Sequence, residues 1–135
     1  MEYNKYKIIL LGDMITGKTR FVEKIQDINL SENYYTPTLG VDFFAYYLDK
    51  KNVIHFWDIS GNPNFECITK FYLKNERIFL LFCDVNNINS IQNLNLWLNK
   101  IREHTNVEDK FFINIICSDF KNNYFYINEK FKFPD

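Results

Sequence analysis

Gly12, Gly17, Lys18 and Thr19 stand at the spacing G-x-x-x-x-G-K-[ST], directly after the apolar run Ile8-Ile9-Leu10-Leu11. A loop that wraps a phosphate must turn its amide N–H groups inward, and glycines at both ends allow backbone conformations and close approaches that a Cβ obstructs. Lys18 would reach the phosphate oxygens of a nucleotide, and the Thr19 hydroxyl would take one Mg²⁺ position. A helix opening near Gly17 would aim its positive end at the same anion. Taken alone, the stretch also fits an ordinary glycine-containing turn between a strand and a helix.

The elements that must hold this loop follow from hydrophobic periodicity. Tyr6 to Leu11 reads as a strand, and Phe21, Val22, Ile25 and Ile28 recur at helical spacing over residues 17–28. After a polar, aromatic loop at 29–39, Val41 to Leu48 and Val53 to Trp57 form a hairpin about Asp49-Lys50-Lys51-Asn52, and 58–64 breaks at Gly61 and Pro63. A weakly periodic helix is expected from Phe65 to Lys74. Ile78 to Cys83 is an all-apolar buried strand. Ile88 to His104 is one helix with Ile91, Leu94, Trp97, Leu98 and Ile101 on one face, and Phe111 to Cys117 is a further strand. Strands alternating with helices predict an α/β fold, a mostly parallel sheet with helices on both faces, in one domain spanning 1–135. Gly12, Asp58, Asp84 and Asp119 each follow an apolar strand, at the carboxyl edge where ligands of such sheets bind.

Composition excludes several classes. Sixteen basic and seventeen acidic residues leave a net charge of −1 without a basic stripe, which argues against nucleic acid as a partner. Ile78 to Cys83, the longest apolar run, is far short of the ~20 residues of a membrane span, and no signal-peptide pattern opens the chain. A soluble, intracellular protein is expected. Cys67, Cys83 and Cys117 have no metal-ligand spacing with His55 or His104 and read as buried thiols.

The motifs together resemble the Ras-like small GTPases, and within them the Rab branch. Thr38-Leu39-Gly40-Val41-Asp42-Phe43 is similar to the Rab switch I segment, and Trp57-Asp58-Ile59-Ser60-Gly61 to the W-D-T-A-G of switch II. Phe71-Tyr72-Leu73 and Leu81-Phe82-Cys83-Asp84-Val85 match further Rab blocks in order. The likeness covers residues 7–121, leaving 122–135 as a divergent tail. All four glycines, Gly12, Gly17, Gly40 and Gly61, fall inside these blocks.

The resemblance implies a P-loop small G-domain that binds GTP or GDP with Mg²⁺. Gly12, Met14, Ile15, Thr16, Gly17, Lys18, Thr19 and Arg20 would form the phosphate site. Asp119 would read the base, with Tyr34 or Tyr35 as a substitute lid over it where the family's covering residues are lost. Thr19, Thr38 and Asp58 would hold the metal, Thr38 and Gly61 would sense the γ-phosphate, and Lys18 and Asn62 would serve hydrolysis. Phe43, Trp57 and Tyr72 occupy positions of an exposed aromatic triad read by effectors or regulators; packing into the core is the alternative for all three.

Departures from the family pattern predict a weak GTPase. Met14 and Ile15 replace small residues, Met14 crowding the attacking water. Asn62 replaces the water-orienting glutamine, and Pro63 restricts its backbone. Ile116-Cys117-Ser118-Asp119 stands in place of N-K-x-D, so only Asp119 remains to accept from guanine. The family's last strand and helix are expected to be missing, with the sheet edge left open or covered by the tail, and no prenylation motif is present. The reading is a monomeric, cytoplasmic switch that is peripheral to membranes only through partners. An interaction module that occupies effectors without cycling is the alternative; an ATP-using P-loop kinase fits poorly, because no lid-like arginine cluster follows.

Overall fold

The computed structural model describes residues 2–25, 40–74, 76–104, 112–118 and 124–127, the last four through their backbone alone. β1 (Asn4–Gly12) leads through the phosphate loop into α1 (Lys18–Ile25); β2 (Val41–Tyr47) and β3 (Asn52–Ile59) form the expected hairpin. A single 3₁₀ turn (Pro63–Phe65) precedes α2 (Glu66–Leu73). Then follow β4 (Ile78–Asp84), α3 (Ile88–Gln92), α4 (Leu94–His104), β5 (Phe112–Ser118) and β6 (Tyr124–Ile127).

The six strands lie in the order β2-β3-β1-β4-β5-β6. The interior pairings β3–β1, β1–β4 and β4–β5 are parallel, whereas β2–β3 and β5–β6 are antiparallel. Strand alternation splits the core in two. Ile9, Leu11, Phe79, Leu81, Cys83 and Ile115 face α2 and α4 on one side, whereas Leu10, Phe56, Leu80, Phe82 and Ile116 face α1 on the other. β4 is apolar throughout because both of its faces are covered. The loop is thereby mounted on a deeply buried strand end, where Ile9, Leu10 and Leu11 are inaccessible.

Two details depart from the sequence expectations, and a third settles an alternative they left. The helix expected over 88–104 is two helices, broken at Asn93, and Ile91 lies exposed on α3 instead of joining Leu94, Trp97, Leu98 and Ile101 in the core. Cys67 is exposed on α2, although Cys83 and Cys117 are buried as expected. Of the two alternatives for the sheet edge, the covered one is observed: the tail contributes β6, which pairs antiparallel with β5, Cys117 opposite Phe125.

Candidate nucleotide-binding site

β1 delivers Gly12 against β4 so closely that a Cβ there would lie 2.5 Å from the Phe82 carbonyl oxygen, with φ at +148°. Gly17 ends the loop at φ +88° and accepts the first helical bond, from the Phe21 N–H at 2.9 Å. Between them Ile15 sits at φ 59°, a left-handed conformation that strains a β-branched residue by about 1–3 kcal/mol. Its side chain and that of Met14 are exposed at the loop tip.

The loop closes on its own lysine. Lys18 Nζ donates to Gly12 O at 2.9 Å, Asp13 O at 2.7 Å and Thr16 Oγ1 at 3.4 Å, and the residue is 6% exposed. Burial brings its pKa down to about 8, against the opposing pull of the Asp58 and Asp13 charges. Thr16 Oγ1 donates to Asp13 O at 2.8 Å, and the Thr16 carbonyl accepts the Ser118 hydroxyl at 3.0 Å. Ser118 also reaches Cys83 O at 3.3 Å, tying the loop to the ends of β4 and β5.

Beside the lysine the Thr19 hydroxyl donates to Asp58 Oδ2, and Asp58 is wholly buried at the end of β3. A hydroxyl and a carboxylate meeting at the mouth of a phosphate loop form a hard, all-oxygen donor set, which suits Mg²⁺ shared with phosphate oxygens. Among the described residues no group of three or more His, Cys, Asp or Glu could hold a metal by itself. Arg20, half-buried on α1, acts electrostatically on Glu23, whose carboxyl is raised first by burial and then by Asp58 and Asp42.

The Gly61 segment rests directly on the loop. A Cβ at Gly61 would lie 2.3 Å from Gly12 O, 2.5 Å from Asp13 C and 2.6 Å from Met14 N, so only glycine fits. Asn62 is extended at ψ 125°, and its side chain caps the 3₁₀ turn by accepting the Asn64 N–H at 3.0 Å. Between this segment and α4 lies a cavity of about 140 Å³ lined by Asp13, Asn62, Pro63, Glu66, Leu96 and Lys100 among others.

On the outer face Phe43, Trp57 and Tyr72 make one aromatic strip, with ring centroids 4.8 Å and 5.2 Å apart. Phe43 is 47% exposed, whereas Trp57 and Tyr72 are half-buried and pack on the core. Phe71 extends the strip, 5.3 Å from Tyr72 and 76% exposed, and Lys7 Nζ stands 5.1 Å over the Trp57 ring.

Tyr34, Thr38 and Asp119 lie outside the described residues. The remaining phosphate and metal positions, Gly12 through Arg20, Asp58 and Gly61, converge at one edge of the sheet. Sequence reasoning passed over Asp13, Asn93, Trp97 and Ser118. Asp13 lies in a variable position of the loop motif, and the other three are distant in the chain, so no spacing rule singles them out.

A family model described as "Ras of Complex, Roc, domain of DAPkinase" matches residues 7–119. The Ras-related protein Rab-26 of Rattus norvegicus is 30% identical over 102 residues, covering 73% of this chain and 40% of the relative. The Mus musculus Rab-26 is likewise 30% identical over 102 residues, with 39% of its length covered. The chain therefore spans about two-fifths of the length of these curated relatives.

Proposed function

The chain belongs to the Ras-like small GTPases, in their Rab-like branch, and from that premise we propose that it is a Mg²⁺-dependent GTP-binding switch that hydrolyses GTP slowly. One observation carries the reading: a buried Lys18 enclosed by the loop, next to the Thr19–Asp58 pair, under the Gly61 backbone. Bound, the γ-phosphate would join the loop carbonyls as partner of Lys18, and Mg²⁺ would enter between Thr19 and Asp58. Thr38 would complete the metal shell, Tyr34 would cover the nucleotide and Asp119 would read the base.

Slow hydrolysis follows from Asn62. Its amide is one methylene shorter than the family's glutamine, its neighbour is Pro63, and its oxygen is occupied in capping a turn. Phe43, Trp57 and Tyr72 would present an aromatic surface to Rab-type effectors or regulators, and a monomer in the cytoplasm would meet membranes through those partners.

The alternative is an interaction module that does not cycle. It is favoured by Met14 and Asn62 at the hydrolytic positions, by Ile116-Cys117-Ser118 in place of the base motif, and by Ile15 in a left-handed conformation. Chromatography of nucleotide released from purified protein separates the two. Retained GTP, with single-turnover hydrolysis below the intrinsic Ras rate of roughly 3–5 × 10⁻⁴ s⁻¹, supports the slow switch. Retained GDP points to ordinary turnover, and nucleotide-free protein that ignores added Mg·GTP supports the module.

A further inference from the structure

Asp13 is the one acidic residue of the phosphate loop, placed beside the ammonium that a phosphate requires. A carboxylate there repels a polyphosphate and competes with it for the lysine. The fold separates the two functions of this residue. Lys18 takes the Asp13 carbonyl oxygen at 2.7 Å, whereas the carboxylate is held from the other side, Oδ2 accepting from Asn93 Nδ2 at 2.7 Å and Oδ1 from Trp97 Nε1 at 2.8 Å.

The two donors are themselves fixed. Asn93 stands at the break between α3 and α4, and its carbonyl accepts the Trp97 N–H at 3.1 Å, which places the two side chains one turn apart on a single face. Trp97 is buried in the core cluster. Neither donor is charged, so the clamp orients the Asp13 carboxylate, whose charge still acts on Lys18 from a distance.

Resting on the GTP-binding reading, we propose that Asn93 and Trp97 are positioning residues that clamp the Asp13 carboxylate against α4, keeping it off the phosphate cradle and leaving Lys18 to the nucleotide.

Two measurements on the full chain test the clamp. In ¹H–¹⁵N spectra, with Trp57→Phe used for assignment, Asp13→Ala shifts the Trp97 indole N–H resonance and speeds its solvent exchange; an unmoved resonance overturns the clamp whatever the protein binds. Mg·GTP affinity is then measured for Asn93→Ala and Trp97→Phe, each alone and in the Asp13→Ala background. Each single change weakens binding by about tenfold, and in the Asp13→Ala background neither alters it by more than about twofold. Equal losses in both backgrounds reduce the two residues to packing and overturn the proposal. Asn93→Ala, at a half-buried helix junction, carries the test if Trp97→Phe does not fold. Native protein that binds no GTP while the indole resonance still responds to Asp13→Ala removes the GTP-binding reading, and the proposed purpose with it, while leaving the hydrogen bonds established.

Discussion

Lys18 donates to the Asp13 carbonyl oxygen at 2.7 Å, so the cation meant for phosphate is held by the backbone that would surround the phosphate. A bound nucleotide would engage the ammonium's third N–H, whose contact with Thr16 Oγ1 is long at 3.4 Å. Its binding energy depends on the lysine staying protonated.

That dependence sets a pH profile. With its pKa lowered from 10.5 to about 8, Lys18 binds fewer protons in the folded protein than in the unfolded chain between those values. The ligand-free fold therefore gains stability as pH rises through that window, and the contribution is flat below it. Nucleotide affinity moves the opposite way, falling above pH 8 as the ammonium is lost. Chemical denaturation and GTP titration from pH 7 to 10 check both slopes, and Lys18→Met removes the lysine's rising share of the stability slope, leaving the fall set by the raised Cys83 thiol, while weakening GTP binding by roughly 10- to 100-fold.

Gly61→Ala places a methyl group within 2.3–2.6 Å of three backbone atoms of the loop. Backbone cannot yield as a flexible side chain does, so the segment moves off the loop at a cost of about 1–3 kcal/mol. The melting temperature falls by several degrees, and GTP no longer protects the fold more than GDP does. Differential scanning fluorimetry with each nucleotide reads both effects.

Ile15→Gly removes a left-handed β-branched residue from the loop tip. Relief of about 1 kcal/mol is expected, since the side chain is exposed and contributes little packing. A higher midpoint of urea unfolding at an unchanged slope is the sign to look for.

Ser118→Ala leaves the Thr16 and Cys83 carbonyls without their shared hydroxyl. Loss of a buried hydrogen bond costs about 1 kcal/mol of stability. Because Thr16 belongs to the phosphate loop, GTP affinity falls as well, and calorimetry separates this from a purely global effect.

Phe43→Ser removes a 47% exposed ring from the aromatic strip. Stability changes by less than about 1 kcal/mol, whereas affinity for an effector that recognises the GTP-bound form drops by about tenfold or more. Denaturation and surface binding measured on the same preparations make the comparison.

The apolar runs of the chain disclosed its sheet because period-two and all-apolar patterns follow directly from which strand faces are covered. Gly12, Lys18, Thr19, Asp58 and Gly61 were singled out for a different reason, since phosphate and metal chemistry restrict both residue type and spacing, and the fold brings all five together. The Asp13 clamp was not. Its donors lie 80 and 84 positions away in the chain, and amphipathic periodicity counted Trp97 as core without asking what its N–H meets. Periodicity likewise ran through Asn93, because the interruption there is a single residue that keeps i→i−4 bonds on both sides, with no proline or glycine to announce it. β6 escaped for want of alternation in an aromatic tail, although pairing with β5 is enough to define it.

The cysteines provide the molecule with its own clock. Cys83 and Cys117 touch at 3.2 Å across neighbouring strands, the Cys83 thiol pushed up to about 12 by burial, while Cys67 faces solvent on α2. An alkylating reagent should consume one thiol at once and wait for the sheet to open before it meets the others. Counting adducts by mass spectrometry over time would thus follow how often the domain breathes, and how far a bound nucleotide slows it, without any introduced label.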